Sequence, residues 1–110
     1  MTDLAVLLVH YRTPDLLVEA VRALEIELDS AGLRAEIWVI DNGSTADDRR
    51  SWSELPIRRI DPGRNLGYAG GVQAGVEASS APFLVAMNPD VLVGEGCLER
   101  LHSALAGGAA

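Results

Sequence analysis

The sequence predicts an α/β fold: a parallel sheet with helices on both faces. Three observations carry this expectation. Short apolar runs of strand length alternate with stretches whose apolar residues recur every three or four positions, four times over in 110 residues. The first run, Leu4–Val9, is continuously apolar rather than alternating, as in a strand buried on both faces. The connections are short, without repeat or linker, which favours right-handed β-α-β crossovers within one sheet.

The elements follow in order. After the strand over 4–9, His10-Tyr11-Arg12 breaks the run and Thr13-Pro14 starts a helix, with a hydroxyl at the N-cap and proline at the first helical position. Leu17, Ala20, Val21, Leu24, Leu28 and Ala31 form its apolar stripe, and Gly32 is a natural stop. Ile37–Ile40 reads as the second strand, ended by DNGST (41–45). Thr45 with Asp48 resembles a capping box for a short helix over 46–53. Ile57–Ile60 is a weak third strand, DPGRN (61–65) is turn chemistry, and a glycine-spaced helix over 67–79 follows. FLVAM (83–87) is the fourth strand and runs into NPD (88–90); a last helix covers 95–106.

Composition removes several classes of function. All nine basic residues are arginine, so no lysine is available for a Walker-type phosphate loop or a Schiff base. Cys97 is the single cysteine, which excludes an internal disulfide and a thiolate zinc cluster and fits a reducing, cytoplasmic setting. A formal charge of −7 argues against nucleic acid as the partner. No apolar run approaches the ~20 residues that span a bilayer, and the opening residues do not read as a secretion signal.

Polar residues gather where the strands end. Ligands of open parallel sheets sit beyond the carboxyl ends of the strands, where the strand order reverses. His10, Tyr11 and Arg12 end the first strand, and Asp41 and Asn42 the second. Asp61, Arg64 and Asn65 end the third, and Asn88 and Asp90 the fourth. The amino ends carry far fewer such groups. Each residue also has a plainer reading: Asp41 as a turn former or helix cap, His10 as a packing histidine, Asp90 as a cap. Gly67, Gly70, Gly71 and Gly75 open the third helix, although glycine costs about 1 kcal/mol per helical position. Either that helix packs close to the sheet or phosphates approach its amino end. Asp90 could hold a hard divalent cation that bridges to substrate phosphates. Cys97 and His102 read as structural.

Four segments in this order, VLLVHYRTPDLL (6–17), WVIDNGST (38–45), RNLGYAGGVQAG (64–75) and FLVAMNPDVLV (83–93), resemble the family 2 glycosyltransferases over nearly the whole chain. They are most similar to bacterial rhamnosyl- and galactofuranosyl-transferases of the cell envelope. The resemblance implies a GT-A fold, of which residues 1–110 are the Rossmann-like, nucleotide-sugar-binding part, with the domain truncated at the C-terminus. It implies a nucleoside-diphosphate sugar donor, a saccharide or lipid-linked acceptor, and inversion at the anomeric carbon. It allows peripheral association with the inner face of the plasma membrane. In this reading Asp41 contacts the base or ribose, His10 and Tyr11 border the base, and Arg64 and Asn65 lie near the ribose and diphosphate. Asp90 coordinates Mg²⁺ or Mn²⁺. His10 and Arg12 stand where relatives often carry asparagine, and Asn88 is not a carboxylate, so metal binding rests on Asp90. The family's catalytic base lies in a later segment that has no match here, so the 110 residues are expected to bind donor without transferring sugar.

Two rivals from other classes fail on residues. A receiver domain needs paired acids after the first strand and a lysine. A sugar-nucleotide-forming nucleotidyltransferase needs a basic glycine-rich loop where Thr13-Pro14 starts a helix. A non-catalytic nucleotide- or protein-binding module derived from a glycosyltransferase remains the alternative.

Overall fold

The structure is a computed structural model and describes residues 2–90 and 94–107. The end of the fourth matched segment (91–93) and the small-residue tail (108–110) lie outside the described residues. The element order is β1 (Leu4–His10), α1 (Pro14–Ala31), β2 (Ala35–Asp41), α2 (Ala46–Ser51), β3 (Arg58–Ile60), α3 (Gly67–Ala78), β4 (Leu84–Met87) and α4 (Cys97–Ala106). All pairings are parallel, in the order β3-β2-β1-β4. The expected α/β fold is the one formed, and the expected elements differ only by a residue or two at their ends.

β1 is buried along its whole length because it is central and covered twice. Leu4, Val6 and Leu8 join Leu17, Val21, Leu24 and Leu28 of α1, Trp52 after α2, and Leu98 of α4 in one core. The alternate residues Leu7 and Val9 face α3. There the glycines have a steric reason. A Cβ on Gly71 would stand 2.8 Å from Val9 Cγ1, and one on Gly75 would stand 2.9 Å from Leu7 Cδ1. Close helix–sheet packing is therefore sufficient to account for both.

Gly32 ends α1 in the left-handed region at φ 68°, with its N–H bonded back into the last turn. The Thr45–Asp48 capping box forms with both reciprocal hydrogen bonds. Thr13 occupies the N-cap of α1, but its hydroxyl makes no capping bond; its own N–H is drawn to His10 instead. Glu27 is a buried acid on α1 whose Oε2 accepts from Gly96 N–H at 2.8 Å, tying α1 to the start of α4. No helix among the described residues is long and apolar enough to cross a membrane.

Candidate functional site

The strand order reverses between β1 and β4, and the crevice rule places a ligand at the carboxyl ends of these strands. A cleft of about 250 Å³ opens there, lined by Val9, Tyr11, Thr13, Leu16, Asn88, Pro89 and Asp90. A larger, open cleft of about 630 Å³ lies at the opposite, amino end of the sheet, around Ile26, Leu33 and Pro56. It gathers none of the carboxyl-end residues.

His10, at the end of β1, has no exposed surface. Its Nε2 accepts from Thr13 N–H at 3.0 Å, so that nitrogen carries no proton. The proton of the neutral ring then sits on Nδ1, 3.1 Å from Ser44 Oγ. The edge of Trp52 closes the site, with ring centres 5.7 Å apart. Burial pushes the His10 pKa below its ordinary value, against the pull of the Asp41 and Asp48 charges. His10 thus braces the β1 and β2 loops from below, and in this conformation it offers no atom to a ligand.

Asp41 ends β2 with its side chain fully enclosed. Oδ1 accepts from the N–H groups of Gly43 (3.2 Å) and Ser44 (2.8 Å), and Oδ2 from Arg49 Nε (3.0 Å). Burial alone would raise this carboxyl, but hydrogen bonds from Ser44, Arg49 and Gly43 outweigh it and hold the pKa below its ordinary value. Arg49 also reaches Asp61 after β3 at 3.2 Å. A single hydrogen-bonded chain, Thr13–His10–Ser44–Asp41–Arg49–Asp61, therefore runs along the carboxyl edge from β1 to β3.

The next residue, Asn42, links that edge to α3. Its Oδ1 accepts from Leu66 N–H at 3.2 Å and its Nδ2 donates to Gly67 O at 3.1 Å. Asn65 Oδ1 accepts from Gly67 N–H at 2.8 Å, shaping the same turn, while Arg64 is exposed beside it. Tyr11 is half-exposed and lies flat enough on the β2 loop that a Cβ on Gly43 would come 3.3 Å from its Cε1.

Asp90 is exposed next to Asn88 in the β1–β4 cleft. Among the described residues no group of three or more His, Cys, Asp or Glu gathers to hold a metal. A lone carboxylate fits a Mg²⁺ or Mn²⁺ that arrives with substrate phosphates and keeps most of its waters, and it does not make a protein-held cage. Of the predicted site residues, Tyr11 and Asp90 share the cleft, Asn65 and Arg64 sit across the Asn42 bridge, and His10 and Asp41 lie beneath the edge. Sequence reasoning missed Arg49, Ser44 and Trp52. Arg49 could have been noticed only as a cation in the turn after Thr45, since nothing local pairs it with Asp41.

Comparison with known proteins shows the family and the fold. A family model described as "Glycosyl transferase family 2" matches residues 5–110. The chain is 27% identical over 107 residues to the low-salt glycan biosynthesis hexosyltransferase Agl10 of Haloferax volcanii, a match covering 94% of this chain and 33% of that protein. Its fold is similar to that in the crystal structure of S. aureus TarS 1-349, with a TM-score of 0.77 and 14% identity, over 97% of this chain and 33% of that one. The chain spans about a third of the length of both proteins.

Proposed function

The chain belongs to glycosyl transferase family 2, and on that premise we propose that it forms the donor site of an inverting glycosyltransferase of glycan or cell-envelope synthesis. The donor is a nucleoside-diphosphate sugar, and the acceptor is a saccharide or lipid-linked hydroxyl. The observation that carries this reading is the carboxyl edge itself. All four strands deliver polar residues to one rim, and that rim is braced from within by His10, Asp41, Asn42 and Arg49.

In this reading Tyr11 and the Asn42–Gly43 loop flank the base, and Arg64 and Asn65 lie near the ribose and diphosphate. Asp90 would hold Mg²⁺ or Mn²⁺, which would supply positive charge to the diphosphate leaving group. Asp41 reaches base or ribose once Arg49 has swung away. His10 holds the loops and touches no ligand. The base that deprotonates the acceptor is not among these residues, and the chain alone transfers no sugar.

Calorimetric titration with UDP and dTDP, with and without Mn²⁺, tests the reading. Binding strengthened by Mn²⁺ is expected, and Asp90→Ala should remove that increment while leaving metal-free binding intact. Asp41→Asn should weaken nucleotide binding. A chain that binds neither nucleotide refutes the donor site, and acceptor-specific transfer by this chain alone refutes the assignment of these residues to donor binding without a catalytic base.

A further inference from the structure

Arg12 is the residue at the carboxyl edge that the donor reading leaves without a role. It is the sole non-glycine residue with positive φ among the described residues, at 52°. There an L-residue's Cβ crowds the neighbouring carbonyl, and glycine or asparagine would take the same turn at lower cost. Strain of this kind persists where surrounding structure enforces it, and it clusters at functional sites.

Two contacts hold the side chain. Its Nε donates to Gly43 O at 3.2 Å, and the guanidinium carbon lies 5.2 Å from the centre of the Tyr11 ring. These contacts fix Arg12 across the ends of β1 and β2. Its remaining N–H groups have no protein acceptor among the described residues, and the side chain is exposed. Arg49, Arg50 and Arg58, by contrast, are each paired with a carboxylate.

Arg12 does not line the 250 Å³ cleft, but Tyr11 beneath it does, and Asp90 is the one formal charge in that lining. A diphosphate entering a protein of charge −7 at such a place needs cations beyond Arg64, which sits across the Asn42 bridge. Asp90 by itself recruits one weakly, since among the described residues it is the one carboxylate that lines the cleft. A guanidinium offers paired N–H groups that match phosphate oxygens, and one already held in place loses little freedom on binding. We infer that Arg12 is a phosphate-binding residue of this site, taking the anionic groups of the nucleoside diphosphate through its free N–H groups. The inference rests on the donor reading above.

The test is a titration in EDTA at low salt of uridine against UDP, and thymidine against dTDP, by calorimetry or ligand-detected NMR. The native chain and the variants Arg12→Gly and Arg12→Gln are compared. The native chain should bind the diphosphate at least about tenfold more tightly than the nucleoside, since hydrogen bonds to a charged group are each worth about that factor or more. Both variants should lose this gain and keep their affinity for the nucleoside. Arg12→Gly should unfold at the same urea concentration as the native chain or higher, because glycine accepts the positive φ, so its loss of binding is not a loss of fold. A gain that survives in both variants overturns the inference alone. So does an equal weakening of nucleoside and diphosphate, which marks Arg12 as a brace for the Tyr11 loop. A native chain that binds no nucleotide overturns the donor reading and this inference together.

Discussion

Replacing Gly71 with alanine sets two effects of known size against each other. In a helix interior alanine is better than glycine by roughly 1 kcal/mol. The new Cβ, however, would lie 2.8 and 3.0 Å from the two Val9 methyl carbons and 3.4 Å from Asn42 Nδ2. Carbon–carbon contacts settle near 3.5–4.0 Å, so helix and strand must part by roughly 0.7 Å or more. Val9 cannot yield by turning, because a β-branched side chain is stiff at χ1. Its strand yields little as well, because Val9 is paired to Ile40 of β2 and the preceding residues of β1 are paired on both sides. α3 must lift instead, and it is pinned at its start by the two hydrogen bonds from Asn42.

Overpacking of a rigid core costs about 1–3 kcal/mol, and two contacts against an immovable valine belong in the upper part of that range. The net expectation for Gly71→Ala is a loss of about 1–2 kcal/mol after the helix gain is subtracted. For a domain of this size that lowers Tm by roughly 5–10 °C. Gly75→Ala should cost less, since its neighbours are the ends of the Leu7 and Ile40 side chains, which can turn. Urea and thermal unfolding followed by circular dichroism measure both variants. A Gly71→Ala chain as stable as the native one, or more so, refutes close packing as the reason for the glycine. The same substitution presses on Asn42 and should weaken UDP binding as well.

Two further outcomes follow from buried polar groups. His10 and Asp41 both have depressed pKa values, so the unfolded chain binds more protons than the native one on the acid side. Stability should be level above pH 6.5, the ordinary value for histidine, fall as pH drops below it, and fall again below 4.5 and 3.8, the ordinary values of Glu36 and Asp41, whose carboxyls are both held low. In urea midpoints taken from pH 8 to 3, His10→Gln should erase the upper limb and leave the lower; a native midpoint flat between pH 6.5 and 5 would contradict the buried neutral imidazole. Glu27→Ala removes the acceptor of Gly96 N–H and leaves that amide unpaired, which should cost about 1–2 kcal/mol. Exchange of the first amides of α4 should quicken selectively, and uniform protection would show that the α1–α4 tie carries no weight.

What could be read from the sequence was set by how local its cause is. β1 is legible because continuous apolarity needs no partner to be recognised. Gly32 and the Thr45–Asp48 box are legible because each acts within four residues of itself. The carboxyl-edge rule extended that reach, since topology brings strand ends together whatever their spacing. The ties between distant residues were not legible. Glu27 finds Gly96 at a separation of 69 positions and His10 finds Ser44 at 34, and neither side chain carries a signal of its partner. Thr13 shows the reverse failure: its type and position predict a capping hydroxyl, yet the hydroxyl makes no capping bond and the residue's tie is its own N–H to His10 Nε2.

Asp41 joins these threads. Position at the end of β2 makes it a candidate ligand contact, while its geometry spends Oδ1 on the loop and Oδ2 on Arg49. A ligand that displaced Arg49 without replacing its N–H would strand a buried carboxylate, and that is costly. A ribose hydroxyl or a base N–H replaces the lost donor, whereas a phosphate brings a second negative charge to the same oxygen. The exchange is therefore open to the nucleoside end of a donor and closed to its diphosphate end. Arg49 leaves readily in that exchange, because its other partner, Asp61, is half-exposed and such pairs hold weakly. In the proposed donor site, charge thus orients the nucleotide along the edge. The nucleoside end sits between Tyr11 and the Asn42–Gly43 loop, where Asp41 lies beneath Arg49, and the diphosphate end has Arg64, Arg12 and Asp90 as its charged neighbours.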